Sequence, residues 1–157
     1  MKKIKKILKI VVAIIVVVVL FIRFALPTIL HKAGLHVVYP DSKEYDLSGK
    51  KALIITTSHG VLNAPGETTG NPTGVAASEL TVPYYEFLDA GMEVDVASIK
   101  GGKIPIDPQT LIFLIKTPED ERFLKDEIFQ EKANQSLKID DIDFTQYDAI
   151  FMSGGWG

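Results

Sequence analysis

A glycine turn follows the last apolar run of this sequence, and it is the feature best suited to chemistry. The run Ala149–Met152 leads into Ser153, Gly154 and Gly155. After a strand of an α/β protein, such a turn directs free backbone N–H groups at a ligand or at a developing anion. The alternative is a turn that needs glycine only for its positive φ. The pattern predicts a backbone that binds a ligand or an anion.

A second candidate for chemistry is His59, in the glycine-rich loop 58–74 that follows the first predicted strand. There it could line the same cleft as the glycine turn. His59 and Glu67 are weak evidence for a metal, because two ligands in a permissive loop do not define a coordination site. No dinucleotide or phosphate-loop motif occurs in the sequence. We therefore favour an ordinary loop histidine and expect neither a metal nor a cofactor.

Alternating strand and helix patterns must position these residues. Short apolar runs predict strands at 51–57, 93–98 and 149–152, whereas helical spacing predicts helices at 75–89 and from Thr117 to Gln130 or beyond. The strand–helix–strand order predicts an α/β fold with a parallel sheet and right-handed crossovers. Pro83 lies within the first of these helices, where we expect it to kink or restart the helix.

Residues 73–108 resemble a known family. Residues 73–91 read TGVAASELTVPYYEFLDAG, residues 94–98 read VDVAS, and residues 101–108 read GGKIPIDP. This pattern is similar to the ThiJ/PfpI superfamily, which has a class I glutamine-amidotransferase-like fold. The match is closest to the branch of glyoxalase III-type enzymes and holding chaperones, and it continues through YDAIFMSGG at 147–155. It implies that residues 50–157 form the N-terminal part of a flavodoxin-like parallel sheet with flanking helices.

The resemblance implies roles for individual residues. It makes Glu79 the catalytic acid that leans on a cysteine at a nucleophile elbow, with burial raising the pKa of its carboxyl. The alternative is an ordinary solvated helix residue. Gly154 and Gly155 match the family's oxyanion and substrate turn. Trp156 stands where many relatives have histidine, which changes the wall of the pocket.

The sequence departs from the family in one decisive respect: its 157 residues contain no cysteine. In the family, the nucleophilic cysteine and its neighbouring histidine lie beyond the glycine turn, after another helix and strand. We therefore expect a chain truncated before its nucleophile, and inactive by itself.

The N-terminus is of a different kind. Residues 1–9 form a basic tail with five lysines, and residues 10–30 are apolar apart from Arg23. Twenty-one residues span about 31 Å as a helix, enough to cross a bilayer. A cleaved signal peptide is the alternative, although no small-x-small cleavage site follows. Residues 31–49 read as a linker.

The distribution of charge limits the partners. Residues 1–32 hold seven Lys and Arg and no acid, whereas the rest of the chain holds ten Lys and Arg against twenty Asp and Glu. The acidic part argues against nucleic acid, and the basic tail suits anionic lipid. The lysines place the N-terminus in the cytoplasm and the α/β domain outside, as a single-pass membrane protein or, if the segment is cleaved, a secreted one.

Two functions remain open from sequence. The first is a membrane-anchored relative of glyoxalase III and deglycase enzymes, with thiol chemistry on 2-oxoaldehydes or on protein adducts as the family activity. The second is a non-catalytic, chaperone-like or interaction module tethered to the membrane. Three predicted strands leave a sheet edge unpaired, so we also expect a dimer or a complementing chain.

Overall fold

The runs Lys51–Thr56 and Glu93–Ser98 form the centre of the main sheet, because most of their side chains are buried on both faces. The computed structural model describes residues 2–35 and 44–155. The chain divides into an N-terminal helical unit and an α/β unit. The strands are β1 (Lys51–Thr56), β2 (Val61–Leu62), β3 (Asn71–Pro72), β4 (Glu93–Ser98), β5 (Leu137–Lys138) and β6 (Ala149–Met152). The helices are α1 (Lys2–Leu20), α2 (Leu26–Leu30), α3 (Ala77–Asp89), α4 (Pro118–Phe123) and α5 (Glu127–Asn134).

The main sheet is parallel, with the strand order β5-β4-β1-β6. Ile54 of β1 lies opposite Val96 of β4 and Phe151 of β6. The predicted α/β class with a parallel sheet and flanking helices is therefore confirmed. Strands β2 and β3 form a short antiparallel pair within the glycine-rich loop.

The core forms where α3 and α5 pack on the sheet. Leu80 and Tyr84 of α3 share one buried cluster with Ile54, Val96 and Phe129. The rings of Tyr84 and Phe129 stack with their centroids 3.5 Å apart. Burying an aromatic side chain of this size contributes about 2 to 3 kcal/mol. This packing fixes α3 over the sheet, and with it the first turn of that helix.

The predicted helix from Thr117 to Gln130 is wrong in one respect, because it is two helices. Thr117 caps α4 in a reciprocal capping box with Asp120. The chain then breaks before Asp126, whose side chain accepts a hydrogen bond from the Phe129 N–H and caps α5. The same carboxylate accepts the Tyr85 hydroxyl at 3.1 Å, so a contact with α3 holds the second cap in place.

We expected Pro83 to kink or restart its helix. The helix does not restart there, because α3 runs without a break from Ala77 to Asp89 with Pro83 inside it. A proline at this position removes one main-chain hydrogen bond.

The N-terminal unit is helical. Helices α1 and α2 are joined by a wider helical turn at Phe21–Ala25, and a second such turn covers His31–Leu35. One helical stretch, Lys3–Leu35, is long and apolar enough to cross a membrane by length and composition, a test that a signal sequence also passes. The domain boundaries expected at residues 9, 30 and 49 stay predictions.

Candidate functional site

The glycine turn lies against the first turn of α3. The Gly154 N–H donates to Oε2 of Glu79 at 2.8 Å. The Ser153 hydroxyl donates to the main-chain carbonyl of Glu79, also at 2.8 Å. The candidate acid and the glycine turn, which the sequence placed far apart in the chain, are therefore in direct contact.

The segment that leads into α3 is held between two other backbones. The Val75 N–H donates to the Pro105 carbonyl at 2.9 Å, and the Val75 carbonyl accepts the Asp107 N–H at 2.9 Å. On the other side, the Ala76 N–H donates to the Gly154 carbonyl at 3.3 Å. The glycine turn is thus joined to the start of α3 by main-chain as well as side-chain contacts.

Close backbone contact explains why glycine stands at two of these positions. Gly74 has a φ of +155°, and a Cβ there would lie 2.1 Å from the Pro105 carbonyl oxygen. Gly155 has a φ of +139°, and a Cβ there would lie 2.7 Å from the Gly74 oxygen. Both distances are far below van der Waals contact, so any side chain would separate the segments.

Thr110 provides the N-terminal cap that α3 lacks in its own sequence. The helix begins after Ala76, which has no side-chain oxygen to offer. Instead, the Ala77 N–H donates to the Thr110 hydroxyl at 2.9 Å, and that hydroxyl donates to the Asp107 carbonyl at 2.7 Å. The Asp107 side chain accepts the Gln109 N–H at 2.8 Å, which fixes the turn. Sequence reasoning missed Thr110, because no local pattern links it to the helix that it caps.

A charged network fixes the start of β6, the strand that leads into the glycine turn. The Tyr147 hydroxyl donates to Asp95 at 2.9 Å, and Lys51 Nζ lies 2.9 Å from the same carboxylate. Partial burial alone would raise the pKa of Asp95, but the hydrogen bonds from Lys51 and Tyr147 hold it below its ordinary value. Burial and the bond to Asp95 raise the pKa of Tyr147 to about 12. The network therefore holds a carboxylate and a neutral phenol across neutral pH.

The expected burial of Glu79 is not observed: its side chain is exposed. Oε2 accepts the Gly154 N–H, whereas Oε1 makes no hydrogen bond within residues 2–35 and 44–155. The main-chain and side-chain contacts orient Glu79 nonetheless. An oriented, solvent-accessible carboxylate can accept a proton from a neighbouring reacting group or donate one to it.

His59 lies in the glycine-rich loop just after β1. Its side chain is exposed and lines a small cavity of about 180 Å³ with Thr57, Ser58, Ile99 and Lys100. In the part of the chain that the structure describes, its ring makes no hydrogen bond. The structure thus brings Glu79, Gly154 and Gly155 together. Among the described residues no hydrogen bond joins His59 to them, so its place in the same cleft stays a prediction, and Trp156 lies outside the described residues.

Sequence reasoning also missed Ser153, although one signal was present. Pro83 follows Glu79 by four positions, the spacing of a helical hydrogen bond. That spacing leaves the Glu79 carbonyl without its usual donor.

Comparison with known proteins finds similar proteins that each match about two thirds of this chain. No family model matches the chain. It is 33% identical over 110 residues to the glutathione-independent glyoxalase hsp3102 of Schizosaccharomyces pombe, a match that covers 68% of this chain and 44% of that protein. The chain thus spans less than half the length of this curated relative.

Two solved structures are similar in the same region. The Rapid Encystment Protein of Francisella tularensis has a TM-score of 0.59 at 36% identity. Glyoxalase III of Candida albicans has a TM-score of 0.57 at 26% identity. Each match covers 68% of this chain and 44% of the other.

Proposed function

Because the chain belongs to the ThiJ/PfpI superfamily, in its glyoxalase III-type branch, we propose that it provides the acid-bearing half of a thiol-dependent glyoxalase site. The substrate class is a 2-oxoaldehyde such as methylglyoxal, or its adduct with a protein. The likeness to two proteins named as glyoxalases supports this class of activity.

The contact between Glu79 and Gly154 is the observation that carries the proposal. It brings a carboxylate and a glycine backbone to one edge of the sheet, next to the end of β6. In the proposed site, a thiolate adds to the aldehyde carbon, and the Gly155 N–H stabilises the oxyanion, because the Ser153 and Gly154 N–H groups already donate to Ile55 and Glu79. Glu79, through its accessible Oε1, carries the proton of that carbon to the adjacent carbonyl carbon. Water then hydrolyses the resulting thioester, which regenerates the thiol and releases lactate.

The thiol lies outside these 157 residues in this proposal, since they contain no cysteine. The same absence makes a prediction for the chain as given. The 157-residue polypeptide is expected to show no consumption of methylglyoxal above the buffer rate, measured by loss of the aldehyde and formation of lactate. Turnover that disappears in Glu79→Gln would contradict the proposal, because it would show a mechanism without cysteine.

The decisive experiment uses the coding sequence that follows codon 157. An in-frame cysteine after one further βα unit would supply the proposed nucleophile. In that longer protein, Glu79→Gln should abolish turnover, whereas Glu86→Gln, on an exposed position of the same helix, should leave it unchanged. Equal activity of both variants would remove Glu79 from the mechanism.

We further propose that the N-terminal helix anchors the protein as a single-pass membrane protein with the α/β domain outside. The stretch Lys3–Leu35 has a mean hydropathy of 3.0 in its most apolar window, none of which is buried. Lysines cluster at its N-terminal end, as expected for a cytoplasmic N-terminus. Resistance to carbonate extraction, with the α/β domain open to external protease, tests this topology. Release with a new N-terminus near residue 30 would indicate secretion instead.

The edge strand β6 supports two secondary proposals. Ile150 and Met152 are 50% and 79% exposed, and within the described sheet β6 pairs only with β1. We propose that further strands of a flavodoxin-like sheet, from the same or a complementing chain, cover this edge. The alternative function, a chaperone-like module, uses the same apolar edge to bind unfolded protein. Suppression of client aggregation that survives Glu79→Gln but not Met152→Lys would favour the chaperone.

A further inference from the structure

We propose that Ser153 is a positioning residue for Glu79, and that its hydroxyl takes the place of the amide proton that Pro83 lacks. The functional meaning of this contact rests on the role proposed above for Glu79. The contact itself does not, because it is a property of the folded chain.

The vacancy arises from the helix. In an α-helix the carbonyl of residue i accepts the N–H of residue i+4, so the Glu79 carbonyl would pair with residue 83. Proline has no N–H, which leaves this carbonyl without its helical donor. The Ser153 hydroxyl donates to that carbonyl at 2.8 Å, from a residue 74 positions along the chain.

Ser153 is itself fixed by the sheet. Its N–H donates to the Ile55 carbonyl at 2.9 Å, which extends the pairing of β6 with β1 by one residue. The neighbouring Gly154 then donates its N–H to the Glu79 carboxylate and accepts the Ala76 N–H. One dipeptide anchored on β1 thus holds Glu79 at both its main chain and its side chain.

This arrangement makes Pro83 and Ser153 a functional pair. A proline alone would leave a free carbonyl for water, and the register between α3 and the glycine turn would depend on weaker contacts. A serine without the proline would compete with the helix's own N–H for the same carbonyl. Together they connect the first turn of α3 to the turn that faces the substrate side.

The test measures the Gly154 amide proton by NMR in the full 157-residue chain in detergent micelles. A hydrogen bond to a carboxylate shifts this proton downfield, so Glu79→Gln defines the full upfield displacement. Ser153→Ala should give a smaller displacement in the same direction, because the two bonds are coupled through one dipeptide. Ser153→Thr, which keeps the hydroxyl, should restore the native position. Ser78→Ala is the matched control, since this serine on the same helical turn makes no side-chain hydrogen bond to any described residue.

Pro83→Ala provides the second arm. The new amide at position 83 can donate to the Glu79 carbonyl, so Ser153→Ala should have little further effect in that background. An unchanged Gly154 proton in Ser153→Ala, or an equal displacement with and without Pro83→Ala, would overturn the inference. The spectrum requires no turnover, whereas the proposed function is tested by turnover, so failure of one is distinguishable from failure of the other.

Discussion

The contact between Gly74 and Pro105 makes a sharp prediction about how the start of α3 is held. A Cβ on Gly74 would lie 2.1 Å from the Pro105 oxygen and 2.4 Å from its carbonyl carbon. Gly66 offers a matched control: it also has a positive φ, +86°, but a Cβ there would meet nothing within 4 Å. Comparing Gly74→Ala with Gly66→Ala separates the steric cost from the cost of backbone conformation.

The magnitudes follow from these two environments. Gly66→Ala carries only the conformational cost, partly offset by a less flexible unfolded chain, so it should lower the free energy of unfolding by about 1 kcal/mol. Gly74→Ala adds a clash with rigid backbone, so its total cost should reach about 3 kcal/mol or more. With an m-value of about 2 kcal/mol/M, the two urea midpoints should differ by about 1 M.

The assay is urea unfolding of the full chain in detergent, followed by near-UV circular dichroism. Tyr84 and Tyr85 are buried in the core, so this signal reports on packing of the α/β unit and not on the N-terminal helices. Midpoints that agree to within about 0.2 M would refute the close contact between residues 74 and 105. If Gly74→Ala is unfolded and Gly66→Ala is folded, the result confirms that the close contact makes the substitution at position 74 the more destabilising of the two.

Three further predictions concern the core and the charged network. Phe129→Ala should lower the free energy of unfolding in urea by about 3 to 5 kcal/mol, because Phe129 is fully buried. Ile128→Ala, at a position 71% exposed, should lower it by about 0.5 kcal/mol or less. Equal losses in the two variants would place the core elsewhere. The pKa of Asp95 is lower in the folded chain than its ordinary 3.8, so its contribution to stability is complete above that pH and is lost as the pH falls through the folded value. Asp95→Asn should therefore reduce the loss of stability on acidification, and the same acid dependence in wild type and variant would assign it to another group. The pKa values of Lys51 and Tyr147 are both raised to about 12, so the stability that the network contributes should fall as the pH rises from 10 towards 12. Thermal melts at each pH measure this loss, and Tyr147→Phe should make it smaller.

The sequence by itself determined three of the four strands of the main sheet, all except β5. The runs at 51–57, 93–98 and 149–152 are short, apolar and β-rich, and each became a strand within a residue of its predicted bounds. Local chemistry also fixed the start of α4, because Thr117 and Asp120 satisfy each other within one turn. These features depend on neighbours in the chain, which a sequence displays directly.

Only the tertiary structure decided how the candidate site is held and how exposed it is. Ser153 and Gly154 reach Glu79 across 74 and 75 positions, and Asp126 divides a predicted helix through its contact with Tyr85. Burial of Glu79 was expected from the family, yet its exposure depends on what packs above it and not on its own helix. The physical reason is common to these cases. A hydrogen bond between distant segments forms only after the sheet has brought them together, so no local spacing in the sequence specifies it.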